Sequence, residues 1–284
     1  GRGGAFRGPS DRLGRDPPLP RPVLNTQVMG QDSTQAVPYR GRVFWIWGDT
    51  NLPPHPLGHF RSTGAWSDLP EKGGLDPQNG VHLEYLAGED GAPAPMFRTA
   101  EKGMVWLDGM AAVPDGEGRE RLMAHYGRYL KLDQRVEHGV GAYVDAEAQF
   151  ERMVMLGDEF QWQHPQGQSL LAAASGREWV YFANPFPTVR CEAGVDALMM
   201  PSSYEAHTWN ADARRWEWSR EGPPATQELE REWIRKGLLP EEEARLQLVS
   251  AADGRPVAAH TGSVRWNDYR QRWVMIFVQK NGKD

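Results

Sequence analysis

Short runs of alternating apolar and polar positions recur along the chain in pairs, each pair joined by a turn rich in Gly, Asp or Asn. The first pair is Val28 to Val37 and Val43 to Asp49, turning at Arg40-Gly41. The second is Met104 to Val113 and Arg121 to Tyr126, turning through Asp115-Gly116-Glu117-Gly118. The third is Gln163 to Ala172 and Trp179 to Asn184, turning at Ser175-Gly176-Arg177. The fourth is Ala259 to Trp266 and Arg272 to Val278, turning at Asn267 to Arg270. Small and polar residues open the first run of each pair, and aromatic and β-branched residues fill the second, which is the pattern of a β-hairpin.

Further strand candidates follow the first three hairpins. They are Phe60 to Trp66 and Val81 to Leu86, then Val140 to Val144 and Phe150 to Met155, then Tyr204 to Trp209 and Arg215 to Trp218. A hairpin followed by two more strands is a four-stranded module, so the pattern predicts an all-β chain built from propeller blades. In a propeller the first strand of each blade faces a narrow axis, which explains why that run is small and polar. A β-sandwich is the alternative, and it gives no reason for the same strand of every module to be polar.

Module starts near residues 28, 104, 163 and 258 lie farther apart than the roughly 40–45 residues of a compact blade. Loops and a helical insertion near 225–248 fill the difference. There Thr226 can cap a helix from Gln227 to Lys236 that Gly237 ends, and Pro240 opens a second piece led by Glu241, Glu242 and Glu243. The fourth hairpin ends beside Asn281 to Asp284 with an open strand edge. The expected organisation is an extended Pro/Arg-rich arm over 1–24 and a propeller domain over 25–284. That domain is incomplete at its C-terminus and covers about three and a half blades.

Composition narrows the function. A net charge of -6 over 284 residues argues against a nucleic-acid binder, which needs a concentrated basic face. The arm alone is basic, with Arg2, Arg7, Arg12, Arg15 and Arg21 against Asp11 and Asp16, and reads as solvated chain. Cys191 is the single cysteine, which excludes an internal disulfide and a multi-cysteine metal site. It sits in a strand-like stretch after Val189-Arg190 and reads as a buried, inert thiol. Apolar runs fall short of the ~18 residues of a membrane span. The chain shows no signal peptide, no phosphate loop, no dinucleotide fingerprint, no His-Glu-x-x-His helix and no Gly-x-Ser-x-Gly.

Inner strands would point their polar residues into one funnel. Asp32 lies on the first strand of module one, Asp108 holds the equivalent place in module two, and Asp49 ends a second strand in Gly48-Asp49-Thr50. Glu137 and His138 precede a strand, Glu205 and His207 alternate along another, and His164 and His260 take the place of the acid in modules three and four. Carboxylates around one cleft, with aromatic platforms, suit glycoside cleavage, in which one carboxyl group protonates the leaving oxygen and another activates water or attacks the sugar. The catalytic candidates are therefore Asp32, Asp49, Asp108 and Glu205. The substrate-binding candidates are Trp45, Arg61, Trp66, Trp106, His164, His207 and His260, with Trp162 and Trp209 as further platforms. The plainer alternatives are turn formation for Asp49 and Asp108 and blade-to-blade packing for the tryptophans. No cofactor is expected. His164, His260 and Asp108 leave room for a metal at the module starts, and a structural Ca²⁺ in the channel would need only oxygen ligands.

The stretches Val43 to Thr50, Trp106 to Met110 and Tyr181 to Pro185 resemble a family of bacterial propeller proteins of formerly unknown function. That family is similar to five-bladed glycosidases acting on furanosides and to endo-D-arabinanases. The resemblance implies a five-bladed propeller with an axial carboxylate pair, matched here by Asp32 and Asp49, and with Asp108 as a third, orienting group. A furanosidase would carry another acid on its third blade, where this chain has His164, so Glu205 is the substitute. The implied protein is a secreted, extracellular or periplasmic monomer that acts on carbohydrate. A non-catalytic propeller binding glycans or a protein is the alternative.

Overall fold

The computed structural model describes Gly14 and residues 26–59, 61–74 and 80–280. The expected arm, Gly14 apart, lies outside the described residues, as does Phe60 at the head of an expected strand. The chain divides into two compact units, Gly1–Leu156 and Gly157–Asp284. Strands dominate both, and the all-β expectation holds.

In the first unit the strands are β1 (Gly30–Gln31), β2 (Gln35–Tyr39), β3 (Arg42–Trp47), β4 (Thr50–Leu52), β5 (His55–His59), β6 (Thr63–Ser67) and β7 (Glu84–Tyr85). They are followed by β8 (Met104–Pro114), β9 (Glu120–Lys131), β10 (Gln134–Val144) and β11 (Gln149–Met155). Two antiparallel meanders result, one ordered β2-β3-β6-β7 and one β11-β10-β9-β8, together with a small β1-β4-β5 sheet. These are the first two four-stranded modules expected from the periodicity.

Boundaries differ where side chains compete with the ladder. The run Val28 to Val37 is not one strand, because it breaks at Asp32 to Thr34, where Ser33 adopts φ 47°. Asp32 turns its backbone and carboxylate to the corner that ends β3, and so leaves the strand. β9 and β10 run longer than expected because a buried ion cluster around Glu137 ties their far ends together.

The second unit contains β12 (Gln168–Ala174), β13 (Arg177–Ala183), β14 (Val189–Glu192), α1 (Val195–Met199), β15 (Glu205–Asn210) and β16 (Arg215–Ser219). Then come α2 (Gln227–Arg235), β17 (Leu248–Val249), β18 (Pro256–Val257), β19 (Ala259–Asn267) and β20 (Arg272–Gln279). The third module is a five-stranded meander, β12-β13-β14-β15-β16, since the stretch around Cys191 pairs on both sides. Its first strand starts at Gln168 rather than Gln163, because Pro165 lacks a donor and Gly167 adopts φ 97°. The helix at Gln227 forms as expected, with the Thr226 hydroxyl accepting from Leu229 N at 3.1 Å. The piece after Pro240 shrinks to one 3₁₀ turn, Glu241–Glu243.

First strands of successive modules lie side by side within each unit, as strands lining a hub would. β2 neighbours β8, where the Gln35 amide donates to the Asp108 carboxylate. β12 neighbours β19, where Arg265 Nη2 donates to Gln168 Oε1 at 2.8 Å.

The period-two alternation divides the first sheet. Val37, Tyr39, Phe44 and Ile46 pack with Leu107, Tyr126, Tyr143 and Phe150 of the second sheet into one buried cluster. Trp45 and Trp47 face the other way, against Leu52 and Tyr85. Phe44 sits edge-on to Trp66, with ring centroids 4.7 Å apart, and to Tyr143 at 4.8 Å. Truncation there leaves a cavity between sheets, so Phe44→Ala should cost about 3–5 kcal/mol in a urea titration followed by tryptophan fluorescence.

Candidate functional site

The site is built at the corner where β3 ends. Asp32 N donates to Asp49 O at 3.2 Å, and Gly48 N donates to Asp32 O at 3.1 Å. Asp32 Oδ1 accepts from Asp49 N at 2.9 Å, so the Asp32 side chain caps the residue that carries the second acid. Gly48 leaves room for this geometry, since a Cβ there would stand 2.8 Å from Asp32 Oδ1 and 3.1 Å from Ser33 Cβ.

Asp49 is half-buried and Asp32 exposed. Trp106, on β8 of the second sheet, donates its indole N–H to Asp49 Oδ1 at 3.0 Å. Burial lifts the Asp49 carboxyl above the ordinary carboxylate range; the Trp106 hydrogen bond works against the rise and the negative charge of Asp32 adds to it. Trp106, offered by the sequence as a sugar platform, is thus first a hydrogen-bond donor to the acid.

Asp108 stands two residues along β8, on the same side of the strand as Trp106. Its Oδ1 accepts from Gly109 N at 2.9 Å and from the Gln35 amide, and Met110 N donates to Gln35 Oε1 at 3.2 Å. Gly109 adopts φ 56° and the register of β8 shifts there, so Asp108 and Gln35 together hold a bulge. Gln35 had no signal in the sequence, because its role depends on β2 meeting β8.

A layer of hydroxyls supports the corner. The Thr50 and Thr63 hydroxyls are 2.7 Å apart and buried, Gln31 Nε2 donates to Thr63 Oγ1 at 3.2 Å, and Tyr85 OH donates to Gln31 Oε1 at 2.7 Å. Burial pushes the Tyr85 phenol well above its ordinary value, so it remains a donor at any physiological pH.

Of the other sequence candidates in this unit, Trp45 donates to Ser67 Oγ at 2.8 Å and stacks beside Trp47, while Trp66 packs against the core. Both serve packing. Arg61 lines a cavity beside Ser62 and Val105. Glu137 is an architectural group: its side chain, 3% exposed, accepts from Tyr126 OH at 2.6 Å and pairs with Arg128 at 2.9 Å and Arg152 at 2.6 Å. His138 is buried beside it in the chain.

In the second unit, Glu205 Oε2 accepts from Arg190 Nε at 2.9 Å and Nη2 at 2.7 Å. The Arg190 guanidinium lies between the rings of Trp179, at 3.8 Å, and Trp218, at 4.2 Å. Sequence reasoning missed Arg190, because its place opposite Glu205 is set by strand register. His207 stacks on Trp216 with centroids 5.0 Å apart, and its imidazole is pushed down to about 4 by burial, with the charges of Arg245 and Arg190 adding. His164 lies in the turn before β12 rather than on a first strand, and His260 is exposed on β19. Trp209 donates to Leu238 O at 2.9 Å and anchors the segment after α2. Cys191 is buried, which raises its thiol far above the reactive range. Among the described residues no group of three or more His, Cys, Asp or Glu side chains converges as a metal site would require. Nor is any described helix long and apolar enough to cross a membrane.

No protein-family model matches the chain, and no curated protein resembles it closely enough to count as a match. Among solved structures it is similar to a thermostable family-43 glycoside hydrolase, at 10% identity and a TM-score of 0.40, over 87% of this chain and 65% of that one. It is also similar to a xylan beta-1,4-xylosidase from Bacillus halodurans C-125, at 11% identity and a TM-score of 0.33, over 90% of this chain and 40% of that one. The chain thus spans under two thirds of the length of either. Similarity at this level leaves activity to be argued from the side chains of this chain.

Two outcomes follow from the geometry. Gly48→Ala should displace the Asp32 carboxylate, speed hydrogen exchange at the Asp49 amide and cost about 1 kcal/mol, the worth of one hydrogen bond. For His207, whose pKa falls from 6.5 to about 4 on folding, the stability held by the neutral ring is present above 6.5 and lost as the pH drops toward 4. Melting curves at pH 7 and 4.5 should show the native protein losing ground to His207→Phe at the lower pH.

Proposed function

We propose that the protein is a glycoside hydrolase-like five-bladed propeller that cleaves an oligo- or polysaccharide, with Asp49 as the proton donor. The observation that carries this reading is the pair itself. A half-buried carboxyl with a raised pKa stands beside an exposed carboxylate, and the backbone and side chain of one hold the other. Glycoside cleavage requires that division of roles between two acids.

In the proposed reaction the protonated form of Asp49, which burial favours, passes its proton to the leaving glycosidic oxygen as the bond to the anomeric carbon breaks. Asp32, open to solvent, takes the proton of the attacking water or bonds to the anomeric carbon itself. Trp106 is a positioning residue, since its indole fixes Asp49 Oδ1 and leaves Oδ2 for the proton. Asp108 orients β8 through its bulge. Glu205 receives no proton-transfer role in this proposal, because Arg190 occupies its carboxylate. The resemblance noted in the sequence makes a furanoside the substrate to try first, in an extracellular or periplasmic setting.

Assayed on a panel of furanosides and pyranosides, Asp49→Asn and Asp32→Asn should each lower kcat by about 10²–10⁴-fold while the protein stays folded. Asp49→Asn retains an acceptor for Trp106 and removes a charge the fold disfavours, so relative to native protein it should gain stability as pH rises above the ordinary carboxylate range. Sugar release that survives both substitutions would refute the proposal, and glycan binding without turnover would support a binding propeller instead.

A further inference from the structure

A second candidate site lies in the first unit, and its case is independent of the glycosidase reading. A cavity of about 350 Å³ opens at the edge of the core between the two meanders, at the small end of the roughly 300–1,000 Å³ typical of ligand sites. Its apolar lining is Phe97 and Val105 of the buried cluster together with Pro95 and Met104, while Met96 of that cluster is fully buried. Its rim carries Arg61, Thr99 and Glu101.

The rim is built rather than loose. Glu101 N donates to Thr99 Oγ1 at 3.1 Å, and Thr99 Oγ1 donates back to Glu101 Oε2 at 3.2 Å. Arg128 Nη1 holds the next carbonyl, Lys102 O, at 2.8 Å. Gly103 adopts φ 129°, and a Cβ there would stand 2.7 Å from Tyr129 O, so the close return of the loop to β9 depends on glycine. The Glu101 carboxylate is answered inside the protein by Arg152 at 2.5 Å and Arg128 at 3.5 Å. With that acid satisfied, the rim's remaining charged lining group is Arg61. A guanidinium has five N–H donors, so Arg61 can meet a ligand in addition to its contacts within the protein.

We propose that this cavity binds a small carboxylate with an apolar, ring-sized body, its carboxylate on Arg61 and its body against Phe97, Val105 and Met104.

Calorimetric titration of the full chain with 3-phenylpropionate, its primary amide and glucuronate tests the assignment, read beside methyl NMR of the methionines. The acid should bind, shift the Met104 methyl signal and exceed the amide by about tenfold, since hydrogen bonds to charged groups are stronger than neutral ones. Arg61→Met should erase the preference for acid over amide, and Arg61→Lys should retain part of it, which guards against a variant that merely unfolds. Failure of the acid to bind, equal binding of acid and amide, tighter binding of glucuronate, shifts confined to other methionines, or an unchanged preference in Arg61→Met would each overturn the proposal.

Discussion

Phe44 and Trp66 on one meander pack against Tyr143 and Phe150 on the other, and the rest of the first unit follows from that contact. Edge-to-face rings lock in a few orientations, so the sheets cannot slide without losing several aromatic contacts together. The lock brings β2 against β8. Gln35 then meets Asp108, and the Trp106 indole reaches across to Asp49. Two acids that belong to the first sheet acquire their environment from the second.

That environment divides the labour between the carboxyl groups. Asp49 is withdrawn from water and bonded to an indole, while Asp32 stays exposed and spends one oxygen on the Asp49 amide. Their difference comes from position, since the two side chains are identical. Behind them the buried hydroxyls of Thr50 and Thr63 and the Gln31–Tyr85 contact fill the space with satisfied polar groups, which keeps the corner rigid without placing another charge near the pair. The second unit handles its charges differently: Arg190 and Glu205 neutralise each other between tryptophan rings, and the result is a braced sheet face.

The module pattern was legible because hairpins announce themselves locally. The turns at Arg40-Gly41 and Ser175-Gly176 and the alternation on either side need no distant partner, and the first two modules have the strand order the alternation predicted. What escaped depends on contacts between elements. Asp32 reads as strand in sequence and becomes a cap only because Gly48-Asp49 folds back on it. Trp45 and Trp66 look alike in sequence yet face opposite sides of one sheet, and both are used in packing. Glu205 reads as a free acid in sequence, but Arg190 on the neighbouring strand pairs with it. Cross-strand partners are set by register, which a single run of residues does not contain.

The proposed chemistry depends on one electrostatic property, that burial, with a smaller contribution from Asp32, raises the Asp49 carboxyl above the ordinary carboxylate range. Carbon-detected NMR titration of the aspartate side chains, with Asp49 assigned by substitution, measures it directly. The account predicts that Asp49 titrates above 3.8, moves still higher in Trp106→Phe where the opposing hydrogen bond is gone, and falls back toward the ordinary value in Asp32→Asn. A midpoint at or below 3.8, indifferent to both substitutions, would contradict it.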